Sequence, residues 1–176
     1  MSGLAKQNYA TTSEDAINQQ IQVEQTASQT YASMAAYFSR DNVALPGLAK
    51  FFSKQAEEES EHAQKLMNYQ NMRGGRVVLK QVPQPQTEWT SAINAVEASL
   101  ALEKDVNKSL LNLDTLAQDE NDPQLDNYLK SEFLIEQVRS IEELSKMVTQ
   151  LNRVGGDGLG LYLWDKELYE KGSIPV

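Results

Sequence analysis

The sequence contains no cysteine among its 176 residues, and it contains only one histidine. The absence of cysteine excludes disulfide bonds, zinc–thiolate sites and thiol catalysis. A single histidine excludes zinc sites that are built from several imidazoles. Whether the chain has a metal site therefore depends on where its carboxylates lie.

Long apolar runs and excess positive charge are also missing. No apolar run approaches the ~20 residues of a membrane span, and residues 1–20 lack the apolar stretch of a secretory signal. We therefore expect a cytoplasmic protein, although a removed organelle transit peptide would leave no trace. The net charge of −9 argues against a nucleic-acid partner and against an anionic membrane surface, and it favours the attraction of cations.

The pattern that is present is helical. Apolar residues in four long segments recur at steps of three, four and seven, which is typical of amphipathic helices. These apolar stripes run from Ile17 to Phe38, from Leu48 to Tyr69, from Ile93 to Ala117 and from Leu125 to Leu151. We expect the first helix to have Ser13 as its N-cap, the third to begin near Thr87 and the fourth to begin at Pro123. A fifth, short helix is expected over about 159–170.

The connections between these helices predict their topology. The first and third connections are short, so each joins an antiparallel helix pair. Residues 74–86 contain a short β-like run and two prolines, and they reach about 43 Å when extended at ~3.3 Å per residue. The second helix is about 39 Å long at 1.5 Å per residue. The sequence therefore predicts an all-α, ferritin-like four-helix bundle with one long crossover loop over about 13–152, followed by the fifth helix, in a single domain 1–176.

Polar residues that could bind a metal interrupt all four stripes near their middles. They are Glu24 on the first helix, Glu59 and His62 on the second, Glu103 on the third and Gln137 on the fourth. Buried carboxylates cost several kcal/mol unless they are compensated, and two divalent cations would compensate them. Carboxylates with one imidazole suit Fe(II) or Mn(II).

Taken singly, each of these features has an ordinary explanation. The acidic run 57–61 resembles a solvated helix face, and Glu57 is expected to belong to one. A lone histidine is more often a hydrogen-bonded core residue, and Tyr31 alone is more often core packing. Four stripes interrupted at compatible heights are not expected by chance, so the set predicts a di-metal centre.

Nearly the whole chain, from residue 13 to residue 168, resembles ferritins of the catalytic, heavy-chain type. The stretches that show the resemblance include AINQQIQVE, VALPGLAKFF, EEESEHAQKLMNYQNMRGGR, SLALEKDVNKSLLNL, ENDPQLDNYL, EQVRSIEEL and GLYLWDKELY. The resemblance implies a homo-oligomeric shell of twenty-four subunits that oxidises Fe(II) with O₂ and stores the ferric mineral. The implied ligands are Glu24, Glu59 and His62 for one iron, and Glu59, Glu103 and Gln137 for a second, with Glu58 nearby. Tyr31 would hydrogen-bond a ligand or donate an electron.

Three other functions are weighed against this one. They are a storage cage without fast oxidation, like ferritin light chains, a di-iron oxygenase that acts on an organic substrate, and a structural bundle without metal. The intact ligand set argues against the first. The fourth helix lacks a second Glu-x-x-His motif, and together with the fifth helix this argues against the second. Anaerobic Fe(II) titration would test the third.

Two positions depart from the heavy-chain pattern. Asn127 and Lys130 stand where that family has acids lining its three-fold channels. Neighbouring acids, above all Asp122 and Asp126, would keep a weakened negative entry there, which we favour. Otherwise iron enters elsewhere, and the four-fold pore beside Glu167 is a candidate. On the fifth helix, the apolar residues expected to be buried within and between subunits are Leu159, Leu161, Leu163 and Trp164.

Overall fold

The computed structural model describes residues 3–174 as helices joined by turns and one long loop. Its helices are α1 (Thr11–Phe38), α2 (Pro46–Met72), α3 (Ala92–Asp119), α4 (Pro123–Leu129), α5 (Ile135–Val154) and α6 (Gly158–Lys171). A π-helical turn, Lys130–Leu134, joins α4 to α5, so these three pieces form the fourth helix of the bundle. No strand occurs within residues 3–174. The predicted four-helix bundle with a short fifth helix is confirmed.

Two of the predicted helix starts are wrong. The N-cap of α1 is Ala10, so Ser13 lies inside the first turn, where it is buried. Helix α3 begins at Ala92 rather than near Thr87, because the Ser91 hydroxyl accepts a hydrogen bond from a backbone N–H of the first turn. The residues before Ser91 form the end of the crossover loop.

The π turn follows from the spacing of buried residues in the fourth bundle helix. Leu125, Leu129, Phe133 and Gln137 are all buried at intervals of four. In a helix of 3.6 residues per turn, each interval of four overshoots a full turn by about 40°. The wider π turn at Lys130–Leu134 compensates for this drift, and it keeps Phe133 and Gln137 on the buried face.

The crossover loop lies along α1 and is fastened to it by side chains. Asn18 donates to the carbonyl of Arg76 (2.9 Å) and accepts from the backbone N–H of Val78 (3.0 Å). Farther along, the Ser33 hydroxyl donates to the carbonyl of Gln86 (2.5 Å). The β-like run therefore lies against α1 and forms no strand within the described residues.

Helix α6 closes one end of the bundle by binding the N-terminus of α2. Both carboxylate oxygens of Asp165 accept backbone N–H groups, from Gly47 (2.9 Å) and Leu48 (2.8 Å). A side chain at position 47 would collide with the backbone of Asp165, since its Cβ would lie 2.0 Å from the carbonyl oxygen. The close approach therefore requires Gly47. Leu161 and Trp164 are buried, whereas Leu159 and Leu163 are 71% and 52% exposed.

Candidate metal centre

The bundle brings the five predicted ligand residues into its interior. Glu24, Glu59, His62, Glu103 and Gln137 are each at most 5% exposed. They lie between two apolar clusters of the core, one packed against α6 and the other near the opposite end of the bundle. The polar residues therefore form a belt across the middle of the bundle.

Three of these side chains form a compact group, which we call the α1–α2 cluster: Glu24, Glu59 and His62. One ligand atom from each lies within 4.8 Å of the other two. Oε1 of Glu24 accepts a hydrogen bond from Gln20 (2.7 Å), but its buried Oε2 has no hydrogen-bond partner. Its interaction with the carboxyl of Glu59 needs a shared proton, so without that proton this oxygen faces a position that a cation would complete.

His62 lies between two carboxylates. Its Nδ1 is 3.4 Å from Oε2 of Glu59, and its Nε2 is 3.3 Å from Oε2 of Glu136. When Nε2 donates to Glu136, the lone pair of Nδ1 faces the α1–α2 cluster. Glu136 is absent from the predicted set, although its place next to Gln137 in the sequence is a signal that could have identified it.

The other side of the belt is the Glu103 cluster, which consists of Glu103, Gln137 and Tyr31. The Tyr31 hydroxyl donates to Oε1 of Glu103. The amide of Gln137 donates to Oε2 of Glu103 at 3.0 Å. Both carboxylate oxygens of Glu103 therefore already have donors, in contrast to Glu24.

Burial dominates the electrostatics of both clusters. It raises the pKa of Glu24 well above its ordinary value, and the nearby charge of Glu59 raises it further. Burial likewise raises the pKa of Glu59 to about 8, and the charge of Glu103 adds to this effect. The pKa of Tyr31 is also raised by burial and by Glu103. Without a cation, the α1–α2 cluster therefore holds protons at neutral pH.

The acidic run on α2 divides between the interior and the surface. Glu58 is half-buried and lies 3.3 Å from Lys54 and 2.9 Å from the amide of Gln55. These contacts place Glu58 outside the α1–α2 cluster, and the expectation that it lies near the second iron, beside Glu103, stays a prediction. Glu57 is exposed, as expected for a solvated helix face.

The chemistry of the donor set suits a divalent cation of intermediate hardness. Carboxylate oxygens and one imidazole are ligands for Fe(II) or Mn(II) rather than for soft ions. Binding such a cation would displace protons from Glu24 and Glu59, and it would give the unpaired oxygen of Glu24 a partner. The residues therefore fit an iron ion.

Asp122, one of the acids expected to rebuild a negative entry, is engaged within its own subunit. Asp122 is 2% exposed, it pairs with Arg73 (2.9 Å), and it caps α4 through the backbone N–H of Leu125 (3.0 Å). Asp126 is engaged as well, because Lys130 donates to it at 2.6 Å. Any negative potential near Lys130 therefore has to come from other acids.

Comparison with known proteins assigns the family. A profile of the ferritin family, described as a ferritin-like domain, matches residues 14–154. Soma ferritin of Lymnaea stagnalis is 54% identical over 170 residues, covering 96% of this chain and 97% of that protein. Ferritin of Pacifastacus leniusculus is 51% identical over 156 residues, covering 88% and 86%. A chloroplastic ferritin of Malus baccata var. xiaojinensis is 54% identical over 172 residues, covering 95% of this chain and 68% of that protein.

These matches leave the cellular compartment open, because one of the similar proteins is named chloroplastic. Among residues 3–174, none of the helices combines the length and apolar character that crossing a bilayer requires. The profile covers most of the chain, and the similar proteins align over nearly all of it. The chain therefore belongs to the ferritin family of iron-storage proteins.

Proposed function

We propose that this chain is a ferroxidase as well as a storage subunit. Two Fe(II) ions would bind in the belt, Glu24, Glu59 and His62 holding one of them. Glu59 would bridge to the second, held by Glu103 and Gln137. The observation that supports this most directly is the buried, unpaired oxygen of Glu24 beside two further ligand groups.

Two adjacent Fe(II) ions can each give one electron to the same O₂ molecule. The balanced reaction is O₂ + 2 Fe²⁺ + 2 H⁺ → H₂O₂ + 2 Fe³⁺, which avoids the release of superoxide. The carboxylates favour this reaction because they stabilise Fe³⁺ more strongly than Fe²⁺. Glu136 would hold the His62 ring in place through Nε2, the role that carboxylates commonly play beside metal-binding histidines.

The product must leave the centre if iron is to accumulate as mineral. Gln137 is a neutral amide, so it would bind the second iron weakly and permit release. Tyr31 and Gln137 both donate to Glu103, and these hydrogen bonds would re-form when the iron leaves. The Glu103 cluster is therefore suited to transient binding.

The storage shell belongs to the same proposal: residues 1–176 would form one domain, and twenty-four copies would form a closed cage. Leu159, Tyr162 and Leu163 on α6 remain 71%, 63% and 52% exposed. An exposed apolar patch of this kind is typical of a contact surface. The native mass, measured by light scattering, should be close to twenty-four times 19.7 kDa. A monomer or a twelve-mer at neutral pH would contradict the cage.

A cytoplasmic location remains a prediction, which a fluorescent fusion would test.

The decisive experiment is stopped-flow oxidation of Fe(II) by the assembled protein at two ions per subunit. Glu59→Gln should abolish the fast phase, because it weakens binding of both irons. Glu57→Gln is the matched control, since Glu57 is two residues away on α2 but exposed. If Glu59→Gln keeps the fast phase of the control, the belt is not the oxidation site. If the unmodified protein and the control both lack a fast phase, the chain stores iron without oxidising it quickly.

A further inference from the structure

A chain of aromatic rings leads away from the candidate metal centre. The rings of His62 and Phe133 are 5.5 Å apart, and those of Phe133 and Tyr128 are 5.8 Å apart, both in edge-to-face contact. Tyr128 then stacks on Tyr69 at 4.1 Å, with 17° between the ring planes. The chain therefore ends in a stacked pair of oxidisable side chains.

Hydrogen bonds hold both hydroxyl groups of this tyrosine pair in fixed positions. The guanidinium of Arg73 donates to the Tyr69 hydroxyl oxygen, which keeps that donor whether or not the phenol has lost its proton. The Tyr128 hydroxyl donates to the carbonyl of Lys65 (3.1 Å). Burial raises the pKa of Tyr128 to about 12, so the group is a neutral phenol at pH 7. Tyr128 is only half-buried, so solvent reaches part of this side chain.

The pair is distinct from the tyrosine inside the belt. Tyr31 belongs to the Glu103 cluster, because it donates to Glu103, and its ring stacks on Phe52 at 5.9 Å. The tyrosine pair connects through Phe133 to His62, in the α1–α2 cluster. The π turn places Phe133 in this connecting position, and such turns are frequent at functional sites.

We propose that the Tyr69–Tyr128 pair is a one-electron donor to the metal centre, used when hydrogen peroxide meets a single bound Fe(II). The proposal rests on the proposed ferroxidase function, which supplies the peroxide. Electron tunnelling falls off exponentially with distance, so contacting rings make the pair an accessible donor. Stacking lets the two rings share the electron deficiency, which lowers the cost of oxidising either one.

The step balances with the tyrosine as reductant: H₂O₂ + Fe²⁺ + TyrOH + H⁺ → 2 H₂O + Fe³⁺ + TyrO•. The O–O bond breaks, iron gives one electron, and the Tyr128 ring gives the other as its hydroxyl proton passes to water. Without the tyrosine, one electron from iron would reduce peroxide to hydroxide and a hydroxyl radical. The pair would therefore protect the protein when only the α1–α2 cluster is occupied.

The test adds one Fe(II) per subunit and then H₂O₂ to the assembled protein, without O₂, and freezes the mixture for electron paramagnetic resonance. Tyr31→Phe removes the tyrosine of the belt, so any remaining tyrosyl signal comes from elsewhere. We expect this signal to persist in Tyr31→Phe and to be lost when Tyr69→Phe and Tyr128→Phe are added. Hydroxyl-radical spin adducts should rise at the same time.

Two further variants make the test specific. Phe133→Leu keeps both tyrosines but removes the connecting ring, so it should also weaken the signal. Tyr169→Phe is the control, because Tyr169 is 49% exposed on α6 and lies outside the named contact patch, and it should leave the tyrosyl signal unchanged. An unchanged tyrosyl signal after loss of both Tyr69 and Tyr128 overturns the inference. Because peroxide is added directly, that result is distinguishable from failure of the proposed function, which would appear as slow Fe(II) oxidation by O₂ in the unmodified protein.

Discussion

The two sides of the belt each contain a buried glutamate, but the two carboxylates differ in their hydrogen bonding. In the α1–α2 cluster, one carboxylate oxygen of Glu24 is buried without a partner. In the Glu103 cluster, both oxygens of Glu103 accept hydrogen bonds from Tyr31 and Gln137. A cation that binds the free oxygen of Glu24 displaces no hydrogen-bond donor. A cation that binds Glu103 must first displace the donors Tyr31 and Gln137. The difference predicts one strong and one weak binding position.

The largest effect should come from removing the unpaired oxygen itself. Glu24→Gln should lower the affinity for the first Fe(II) by about 100-fold or more, since even indirect contacts to metal ligands are worth 10–100-fold. The metal-free variant should melt at a higher temperature, because a neutral amide avoids the cost of burying an ionisable carboxyl group. Anaerobic titration calorimetry and thermal melting measure the two changes. An affinity equal to that of Glu57→Gln would show that the α1–α2 cluster is not the strong position.

A smaller effect is expected from the carboxylate behind His62. Glu136→Ala removes the partner that lies 3.3 Å from Nε2 of the imidazole, so the ring should lose its fixed orientation. First-metal affinity should then fall by about 10–100-fold. Glu142→Ala is the control, because Glu142 lies on the same helix and pairs with Lys146 at the surface (2.9 Å). Equal first-metal affinities in the two variants would show that Glu136 does not orient His62 for metal binding.

The difference in affinity between the two metal positions should diminish when the neutral amide of Gln137 is replaced by a carboxylate. Gln137→Glu removes the amide that donates to Glu103 (3.0 Å) and sets two carboxylates side by side. Second-metal affinity should rise about tenfold or more, since a unit charge at 4 Å attracts by roughly 4 kcal/mol at an effective dielectric constant of 20, partly offset by repulsion from Glu103.

Multiple-turnover oxidation should then slow while the first turnover does not, because product leaves more slowly. Stopped-flow absorbance separates the two phases. The control is Gln64→Glu, which adds the same charge at an exposed position of α2. Unchanged multiple-turnover rates would mean that release from the Glu103 cluster does not limit the reaction.

The smallest effect concerns the thermal stability of the metal-free protein, which should depend on pH in a way that bound Fe(II) suppresses. The pKa of Glu59 is raised from 4.5 to about 8, so between these values the folded protein holds a proton that the unfolded chain has released. The contribution of Glu59 to stability is therefore present below pH 4.5 and is lost as pH rises to about 8. Thermal melting of the metal-free protein at pH 6 and pH 8 should show this loss, and Fe(II) under anaerobic conditions should reduce it. A melting temperature that rises over this range, with or without metal, would contradict the assignment.

Much of the fold was predictable because its signals are local. Apolar periodicity located the four bundle helices, and Pro46 and Pro123 mark the starts of α2 and α4. The start of α3 was missed by several residues, since the apolar pattern does not show that the Ser91 side chain caps the helix. The spacing of four from Leu125 to Gln137 was visible in the sequence, but only the structure shows that a π turn accommodates it.

The candidate site divides in the same way. The sequence by itself determined which residue types interrupt the apolar stripes. A carboxylate in such a stripe stands out in the sequence, because burying it costs free energy unless a partner compensates it. Only the tertiary structure decided which atoms are paired. It gave Glu103 two donors, left one oxygen of Glu24 with none, turned Glu58 towards Lys54 and set Glu136 against His62. Helical periodicity specifies the face on which a side chain lies, whereas hydrogen bonding depends on distances of a few ångströms between different helices, and packing alone fixes these distances.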